Sequence, residues 1–327
     1  MIRRREFITL LGGAAAWPLA ARAQPRERMR RAGVMFSTLP ADDPEGQTRL
    51  TALVQGLEKL GWSDARNLRI EYRWGLGDPG RQRRSAAELV ALAPDVLLAG
   101  GNGALTALQE ATGTIPIVFA NVVDPVGSGY VASLAPGGNS TGFMSVEFSV
   151  SGKSLELLKQ IAPAVKRVAV LRNPVAALGQ LGAIQAAAPS FGVELTPIAD
   201  RNPEQIERGV ATFVRGSTDG LITTSLAQTQ AVRDRIIALA AQHRLPAVYT
   251  FRRFVVEGGL MSYGTDQSEP YRLAAGYVAR ILQGENPGDL PVQAPTRTEL
   301  SINLKTAKAL GLIVPPTLLA IADEVIE

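Results

Sequence analysis

The sequence contains no cysteine and a single histidine, His243, among its 327 residues. Without cysteine the chain has no disulfide bond, no thiolate nucleophile and no cysteine-ligated metal. One histidine is too few for a histidine-rich zinc site, and it leaves a single position for the base of a catalytic triad. The G-x-S-x-G and Walker motifs are absent as well. The sequence therefore predicts a protein that is not an enzyme and that holds no metal and no cofactor.

Long apolar runs are also scarce, and none reaches the roughly 20 residues of a transmembrane helix. The apolar stretch Phe7–Ala21 is too short, and Pro18 interrupts it. It follows a basic start and leads into the small-x-small triplet Ala21-Arg22-Ala23, a pattern typical of a secretory signal peptide. The segment Arg4-Arg5-Glu6-Phe7-Ile8 resembles a twin-arginine (Tat) export motif. We therefore predict Tat export, cleavage of residues 1–23 near Ala23, and a soluble periplasmic protein.

The positive charge of the chain is concentrated in this leader. The formal net charge is +4, and residues 1–23 carry four arginines against one glutamate, which leaves +1 for the remainder. The basic balance therefore gives no reason to expect a nucleic-acid partner. We interpret the two arginine-rich runs, Arg81-Gln82-Arg83-Arg84 and Arg252-Arg253, as solvated faces.

What the chain does contain is a regular alternation of short apolar strands and amphipathic helices. The first series has predicted strands at 31–37, 68–74, 95–99, 115–120 and 141–144, with helices at 47–60, 80–93, 104–111 and 129–134. The second has strands at 167–171, 193–198, 220–225, 247–250 and 260–263, with helices at 154–161, 178–190, 203–215 and 229–243. Such alternation indicates parallel sheets with right-handed crossovers. We predict an α/β fold of two similar doubly wound parallel-sheet lobes, with a hinge and an interlobe cleft.

The lobe boundaries follow from the same pattern. We assign residues 31–145 to lobe 1 and residues 146–265 to lobe 2. The tail is predicted to hold a helix at 269–283, a strand at 299–303 and two terminal helices. We expect part of 266–290 to join lobe 1 and part of 291–327 to join lobe 2, so that several strands connect the lobes.

Polar residues follow the predicted strands at their carboxyl ends, where open α/β sheets bind ligands. The candidate ligand contacts of lobe 1 are Ser37, Thr38, Gly101, Asn102 and Asp124. Backbone N–H groups at the glycine-rich turn suit an anion. The alternatives remain open: a glycine here also serves a tight turn, and hydroxyl or carboxylate groups also cap helices.

Lobe 2 offers a second set of candidates at equivalent positions. These are Asn173, Ala177, Thr224, Ser225, Tyr249 and Tyr263. The hydroxyls again serve either a ligand or a helix cap. The two tyrosines end the last two strands of the series, where they form either an aromatic wall of the cleft or packing within the hinge.

Three long segments carry a resemblance to a known family. They are RRREFITLLGGAAAWPLAARAQ, IPIVFANVVDPVGSGYVASLAPGGNSTG and ELSINLKTAKALGLIVPPTLLAIADEVIE. On these segments the chain resembles the periplasmic substrate-binding proteins of ABC transporters related to tryptophan- and phenylalanine-binding receptors. The resemblance implies a type I periplasmic binding protein fold, a ligand bound as the lobes close, and an ABC permease in the inner membrane as partner.

The chain departs from this family in two loops. Residues 173–178 read Asn-Pro-Val-Ala-Ala-Leu, without the Glu and the Asn/Ser pair that amino-acid-binding relatives carry there. The loop after the first strand lacks their His-Pro. The ligand class therefore stays open between an amino acid, an aromatic acid and a similar solute. We expect a monomer, and the alternative function is a ligand-sensing subunit of a membrane kinase or chemoreceptor.

Overall fold

The computed structural model describes residues 28–145, 150–172, 178–199, 202–224 and 230–327. The predicted signal peptide, residues 1–23, lies outside these ranges, as do Asn173, Ala177 and Ser225. The described chain forms two α/β lobes, each built on one sheet of five or seven strands.

Lobe 1 begins with five strands and three helices. The strands are β1 (Arg30–Phe36), β2 (Leu68–Trp74), β3 (Val96–Gly100), β4 (Ile117–Val122) and β5 (Ser140–Met144). The helices are α1 (Pro44–Lys59), α2 (Pro79–Ala91) and α3 (Asn102–Ala111). All strand pairs are parallel and the order is β2-β1-β3-β4-β5. The order reverses between β1 and β3, which makes their carboxyl ends the topological switch point of this sheet.

The second half of the chain supplies seven strands and eight helices in the described residues. The strands are β6 (Arg167–Arg172), β7 (Glu194–Ala199), β8 (Asp219–Thr223), β9 (Ala247–Tyr249), β10 (Met261–Gly264), β11 (Glu299–Asn303) and β12 (Glu324–Ile326). The helices are α4 (Val150–Ile161), α5 (Leu178–Phe191), α6 (Pro203–Phe213), α7 (Gln230–Gln242), α8 (Arg252–Val256), α9 (Glu269–Leu282), α10 (Leu304–Ala309) and α11 (Pro316–Ile321). The strand order is β12-β11-β10-β9-β8-β6-β7.

Both sheets are covered by helices on two faces, as their near-continuous apolar strands require. In lobe 1, α1 and α9 pack on one face and α2 and α3 on the other. In lobe 2, α4 and α5 cover one face, and α6 and α7 cover the other. Helix α9 thus belongs to the core of lobe 1 although it follows the strands of lobe 2.

The sheet of lobe 2 is parallel, as predicted, except at β11, for which no direction was predicted. Strand β11 pairs with β10 in antiparallel register, with Met261 opposite Ile302. The chain leaves β10 at the hinge, forms α9 in lobe 1 and then returns to lobe 2, so it enters β11 from the hinge end. A strand that starts at that end must run against its neighbour.

The predicted helix at 129–134 is wrong, because the segment after β4 forms turns instead. The N–H groups of Tyr130 and Val131 both donate to the carbonyl of Pro125, and Gly129 donates to Val126. Gly129 has a φ of 75°, which a right-handed helix does not admit. Glycine content and a preceding proline therefore outweigh the apolar pattern there.

The chain connects the lobes at three places: between Ser145 and Val150, at residues 265–268 between β10 and α9, and at residues 294–298 before β11. Residues 146–149 of the first connection lie outside the described residues. The first and third start side by side, because Met144 N–H donates to the Gln293 carbonyl at 2.9 Å. The first and second are joined by the hydroxyl of Thr265, which donates to the carbonyl of Ser145. The crossovers therefore form a connected hinge.

Candidate functional site

At the switch point of lobe 1, Ser37 and Gly101 hold the first turn of α3. The Ser37 hydroxyl donates to the Gly100 carbonyl and accepts from the Ala104 N–H, both at 2.8 Å. Gly101 has a φ of 93°, and a Cβ built there would lie 3.0 Å from the Ser37 Oγ. Ser37 is 6% exposed. In this arrangement the hydroxyl satisfies the helix end, and Thr38 lies half-buried in the loop that follows.

Asn102 and Asp124 shape the loop that follows β4. Asn102 Nδ2 donates to the Val123 carbonyl and its Oδ1 accepts from the Val123 N–H, both at 2.9 Å. The Asp124 Oδ1 accepts from the Gly127 N–H at 2.9 Å, and Asp124 has a φ of 46°. Both side chains therefore bond to backbone, and Asp124 caps a turn where a helix cap was predicted; its contact with a ligand stays a prediction.

In lobe 2, the Thr224 hydroxyl also forms a hydrogen bond with backbone. The Thr224 N–H and Oγ1 both donate to the Leu171 carbonyl, at 2.9 and 3.2 Å. Beside it, the Thr250 Oγ1 donates to the Thr223 carbonyl at 2.6 Å. These bonds tie together the carboxyl ends of β6, β8 and β9, which form the switch-point side of this sheet.

The two tyrosines occupy different environments. Tyr249 is 1% exposed and stacks on Phe254 with ring centroids 4.8 Å apart, inside the core of lobe 2. Burial raises the pKa of its phenol. Tyr263 is half-buried, and its hydroxyl accepts from the Thr298 Oγ1 at 3.0 Å, at the hinge. Tyr249 therefore packs in the core of lobe 2 and Tyr263 lies at the hinge, and a ligand contact by either tyrosine stays a prediction.

A cavity between the lobes, which we call the hinge pocket, has a volume of about 190 Å³. One wall is the first turns of α1 in lobe 1, the opposite wall is the start of α8 in lobe 2, and the floor is the second crossover. The lining residues are Pro44, Glu45, Thr48, Arg49, Phe251, Arg252, Arg253, Thr265, Asp266, Gln267, Ser268 and Glu299. Three guanidinium groups and three carboxylates thus face one small interlobe space.

On the lobe 1 wall, Arg49 is a buried cation. It is 8% exposed and forms an ion pair with Glu45 one helical turn earlier. Burial disfavours its charge, but Glu45 and the hydroxyl of Tyr271 outweigh burial, so the pKa of Arg49 is raised. Arg49 therefore remains positively charged at every physiological pH.

On the lobe 2 wall, both arginines have partners within their own lobe. Arg252 Nε donates to Glu324 at 2.6 Å, and Arg253 is paired with Glu257. The hydrogen bond to Glu257 raises the pKa of Arg253, and Glu45 of the opposite lobe adds to the increase through its charge. Glu45 of lobe 1 and Arg253 of lobe 2 therefore attract each other across the cavity.

At the floor, one carboxylate comes from the second crossover, Asp266, and one from the start of β11, Glu299. Asp266 accepts from the Ser268 N–H and hydroxyl, both at 2.8 Å. Burial raises the pKa of Glu299, and the nearby charge of Asp266 raises it further. Both residues also line a second cavity of about 620 Å³ behind the hinge. The floor therefore carries negative charge, which a cationic group would offset.

The sequence analysis did not identify the hinge pocket. Its charged residues come from helix faces and crossovers rather than from strand ends, and Arg252-Arg253 was interpreted as a solvated run. A usable signal existed in the four-residue spacing of Glu45 and Arg49, because Arg49 lies in the predicted helix 47–60 one turn before its apolar position Leu53. Among the described strand-end candidates, Ser37, Asn102, Asp124 and Thr224 bond to backbone, and contact with a ligand stays a prediction for the whole set.

Within the described residues, no group of acidic or histidine side chains has the arrangement of a metal site. Nor does any helix in those ranges combine the length and apolar character needed to cross a membrane.

Two α/β lobes that are joined by three crossovers and enclose a charged cavity define the class of two-lobed solute receptors. Residues 42–326 match the family model described as ABC transporter substrate binding protein. The chain therefore belongs to the ABC transporter substrate-binding protein family, with the type I periplasmic binding protein fold. It serves an ABC transporter as a receptor, which is not an enzyme class.

Known proteins similar to this chain include receptors for aromatic amino acids. A tyrosine-binding protein of Clostridioides difficile is 27% identical over 271 residues, which cover 79% of this chain and 75% of that protein. A structure of a conserved domain protein from Vibrio cholerae has a TM-score of 0.83 at 28% identity, covering 91% of this chain and 100% of its own. An L-Trp complex from Streptococcus pneumoniae has a TM-score of 0.81 at 23% identity, covering 91% and 99%, and this likeness concerns the fold.

Proposed function

We propose that this protein captures a free amino acid between its lobes and delivers it to an ABC permease in the inner membrane. The observation that carries the proposal is the balanced charge of the hinge pocket, with three guanidinium groups and three carboxylates among its lining residues. An amino acid is a zwitterion, with one charge of each sign and no net charge. The similarity to a tyrosine-binding protein, at 27% identity, supports the same ligand class.

Electrostatics favours such a ligand over a neutral one in this pocket. Removing charged protein groups from water costs free energy unless partners of opposite charge replace the water. A zwitterion supplies both partners at once, whereas a sugar supplies neither. Because the ligand then contacts both lobes together only when they lie close, its binding favours the closed arrangement.

We also propose how the receptor is exported. Residues 1–23 have the pattern of an export signal with a twin-arginine motif, so we propose Tat export and cleavage near Ala23. The mature chain then acts as a monomer in the periplasm. Family membership supports an extracytoplasmic site of action.

A ligand screen on the mature protein tests the function. Thermal unfolding is measured with each of the twenty amino acids, with aromatic acids, and with sugars and nucleobases as controls. A ligand at 100 times its dissociation constant stabilises the folded state by about 2.7 kcal/mol, a clear shift of the melting temperature. We expect at least one amino acid to produce it, with titration calorimetry confirming one site. Stabilisation by sugars or nucleobases alone would contradict the proposal.

A further inference from the structure

Arg49 has unused hydrogen-bonding capacity inside the hinge pocket. Its side chain is buried, and its Nε has no hydrogen-bond partner among the described residues. The second carboxylate oxygen of its ion-pair partner, Glu45 Oε2, is likewise buried without a partner. A buried donor left unpaired costs free energy, more so when it carries charge. Arg49 also lines the pocket, so a shift of its side chain toward the cavity would let a ligand carboxylate supply the missing acceptor.

Asp266 has the complementary capacity on the floor of the same cavity. Its oxygens accept from Ser268, which fixes the carboxylate at the start of α9. A carboxylate offers about four acceptor positions, so room remains for an ammonium donor. The nearby Glu299, at the start of β11, adds negative charge.

The other charges of the pocket are engaged elsewhere. Arg252 bonds Glu324 through two nitrogen atoms, and Arg253 pairs with Glu257. Both pairs lie within lobe 2 and leave these guanidinium groups with their charge already compensated. Arg49 is paired with Glu45 as well, but its Nε is buried without a partner among the described residues, so Arg49 and Asp266 are the cation and anion with hydrogen-bonding capacity left for a ligand.

We propose that the hinge pocket is the head-group subsite, in which Arg49 binds the α-carboxylate of the ligand and Asp266 binds its α-ammonium. This inference rests on the proposed amino-acid ligand and adds to it the residues that recognise the group common to all amino acids. The ligand side chain then extends from the hinge pocket toward the strand-end loops of the cleft, where selectivity among amino acids is decided. Amines and acids that carry half of the head group bind weakly.

The test compares three ligands with three variants by titration calorimetry. The ligands are the tightest-binding amino acid of the screen, its decarboxylated amine and its deaminated acid; for L-tyrosine these are tyramine and 3-(4-hydroxyphenyl)propionate. The variants are Asp266→Asn, Arg49→Gln and, as a matched control, Arg272→Gln. Arg272 is half-exposed, pairs with Glu269 and lines the cavity behind the hinge instead.

In the unmodified protein, we expect the amine and the acid each to bind at least about tenfold more weakly than the amino acid. Asp266→Asn should weaken the amino acid by about tenfold or more and leave the deaminated acid unchanged. Arg49→Gln should weaken the amino acid and leave the amine unchanged. Arg272→Gln should match the unmodified protein for all three ligands.

Each remaining outcome has a defined meaning. If an amino acid binds but Asp266→Asn keeps the affinity and ligand preference of the unmodified protein, the subsite assignment is overturned and the proposed function stands. If no amino acid binds the unmodified protein, the proposed function itself fails and the assignment fails with it. Because Arg49 is buried, the folding of its variant is checked by circular dichroism. Should it not fold, Asp266→Asn and the ligand analogues decide alone.

Discussion

Replacing Ser37 with alanine separates the two roles that a hydroxyl at a strand end can have. In the structure this hydroxyl bridges two buried backbone groups, the Gly100 carbonyl and the Ala104 N–H, at 2.8 Å each. The N–H belongs to the first turn of α3, which has no earlier helical carbonyl to bond. The substitution removes both hydrogen bonds at once and adds no steric conflict, since alanine is smaller.

The size of the effect follows from helix capping. Loss of a capping hydroxyl costs about 1–2 kcal/mol. Ser37 is 6% exposed, so water does not readily replace the lost bonds, and we expect the upper part of that range. The Gly100 carbonyl keeps its bond from the Ser37 backbone N–H at 2.9 Å, so the group left unpaired is the Ala104 N–H.

Urea denaturation followed by circular dichroism measures this loss. We expect a lower midpoint with an unchanged m-value, which indicates lost stability rather than a changed unfolding transition. Ser128→Ala is the matched control, because Ser128 is exposed in the turn after β4 and should unfold like the original protein. An unchanged midpoint in Ser37→Ala, combined with lost ligand affinity, would refute the capping role and make Ser37 a ligand contact.

Two further predictions concern pH and processing. Burial opposes the charge of Asp95, but the Arg31 N–H and the Arg30 guanidinium outweigh burial and lower its pKa below 3.8. The ionised form therefore stabilises the fold above pH 3.8, and the contribution is lost as pH falls through the folded-state value. Asp95→Asn should unfold at lower urea than the original protein at pH 7, with a smaller difference at pH 3; equal differences would count against this. When the full chain is expressed in a Tat-competent bacterium, the periplasmic fraction should contain a protein whose mass, measured by mass spectrometry, corresponds to a chain that starts at Gln24. An uncleaved cytoplasmic product would contradict export.

The strands could be predicted because each is a short apolar run bounded by polar or glycine residues. Leu68–Trp74 and Glu299–Asn303 have the predicted bounds, and the remaining predicted strands differ by at most two residues at either end. Fully buried parallel strands tolerate little but apolar side chains, so composition alone marks them. The two-lobed architecture followed from counting such runs.

The elements that were missed depend on contacts distant in sequence. The short helix α8 and the edge strand β12 have no periodic pattern of their own. Strand β12 exists because Glu324–Ile326 pairs with β11, and Arg252 at the start of α8 bonds Glu324. Local sequence contains neither partner, so neither element could be predicted from it.

The hinge pocket was missed for a related reason, and this reason bears on how the receptor works. Its charged residues are distant in sequence and become neighbours only where α1, α8 and the second crossover meet. The affinity of a ligand for these residues therefore depends on how the two lobes are placed. Asn121 Nδ2 at the end of β4 donates to the Gln267 carbonyl at 2.8 Å, directly after Asp266. Because Asn121 bonds the second crossover to the end of β4, rotation of the lobes must either keep this hydrogen bond or break it. Under the proposed assignment, a ligand held by this crossover and by Arg49 of lobe 1 stabilises one position of the hinge over the others, and we expect that difference in binding free energy to couple capture to closure.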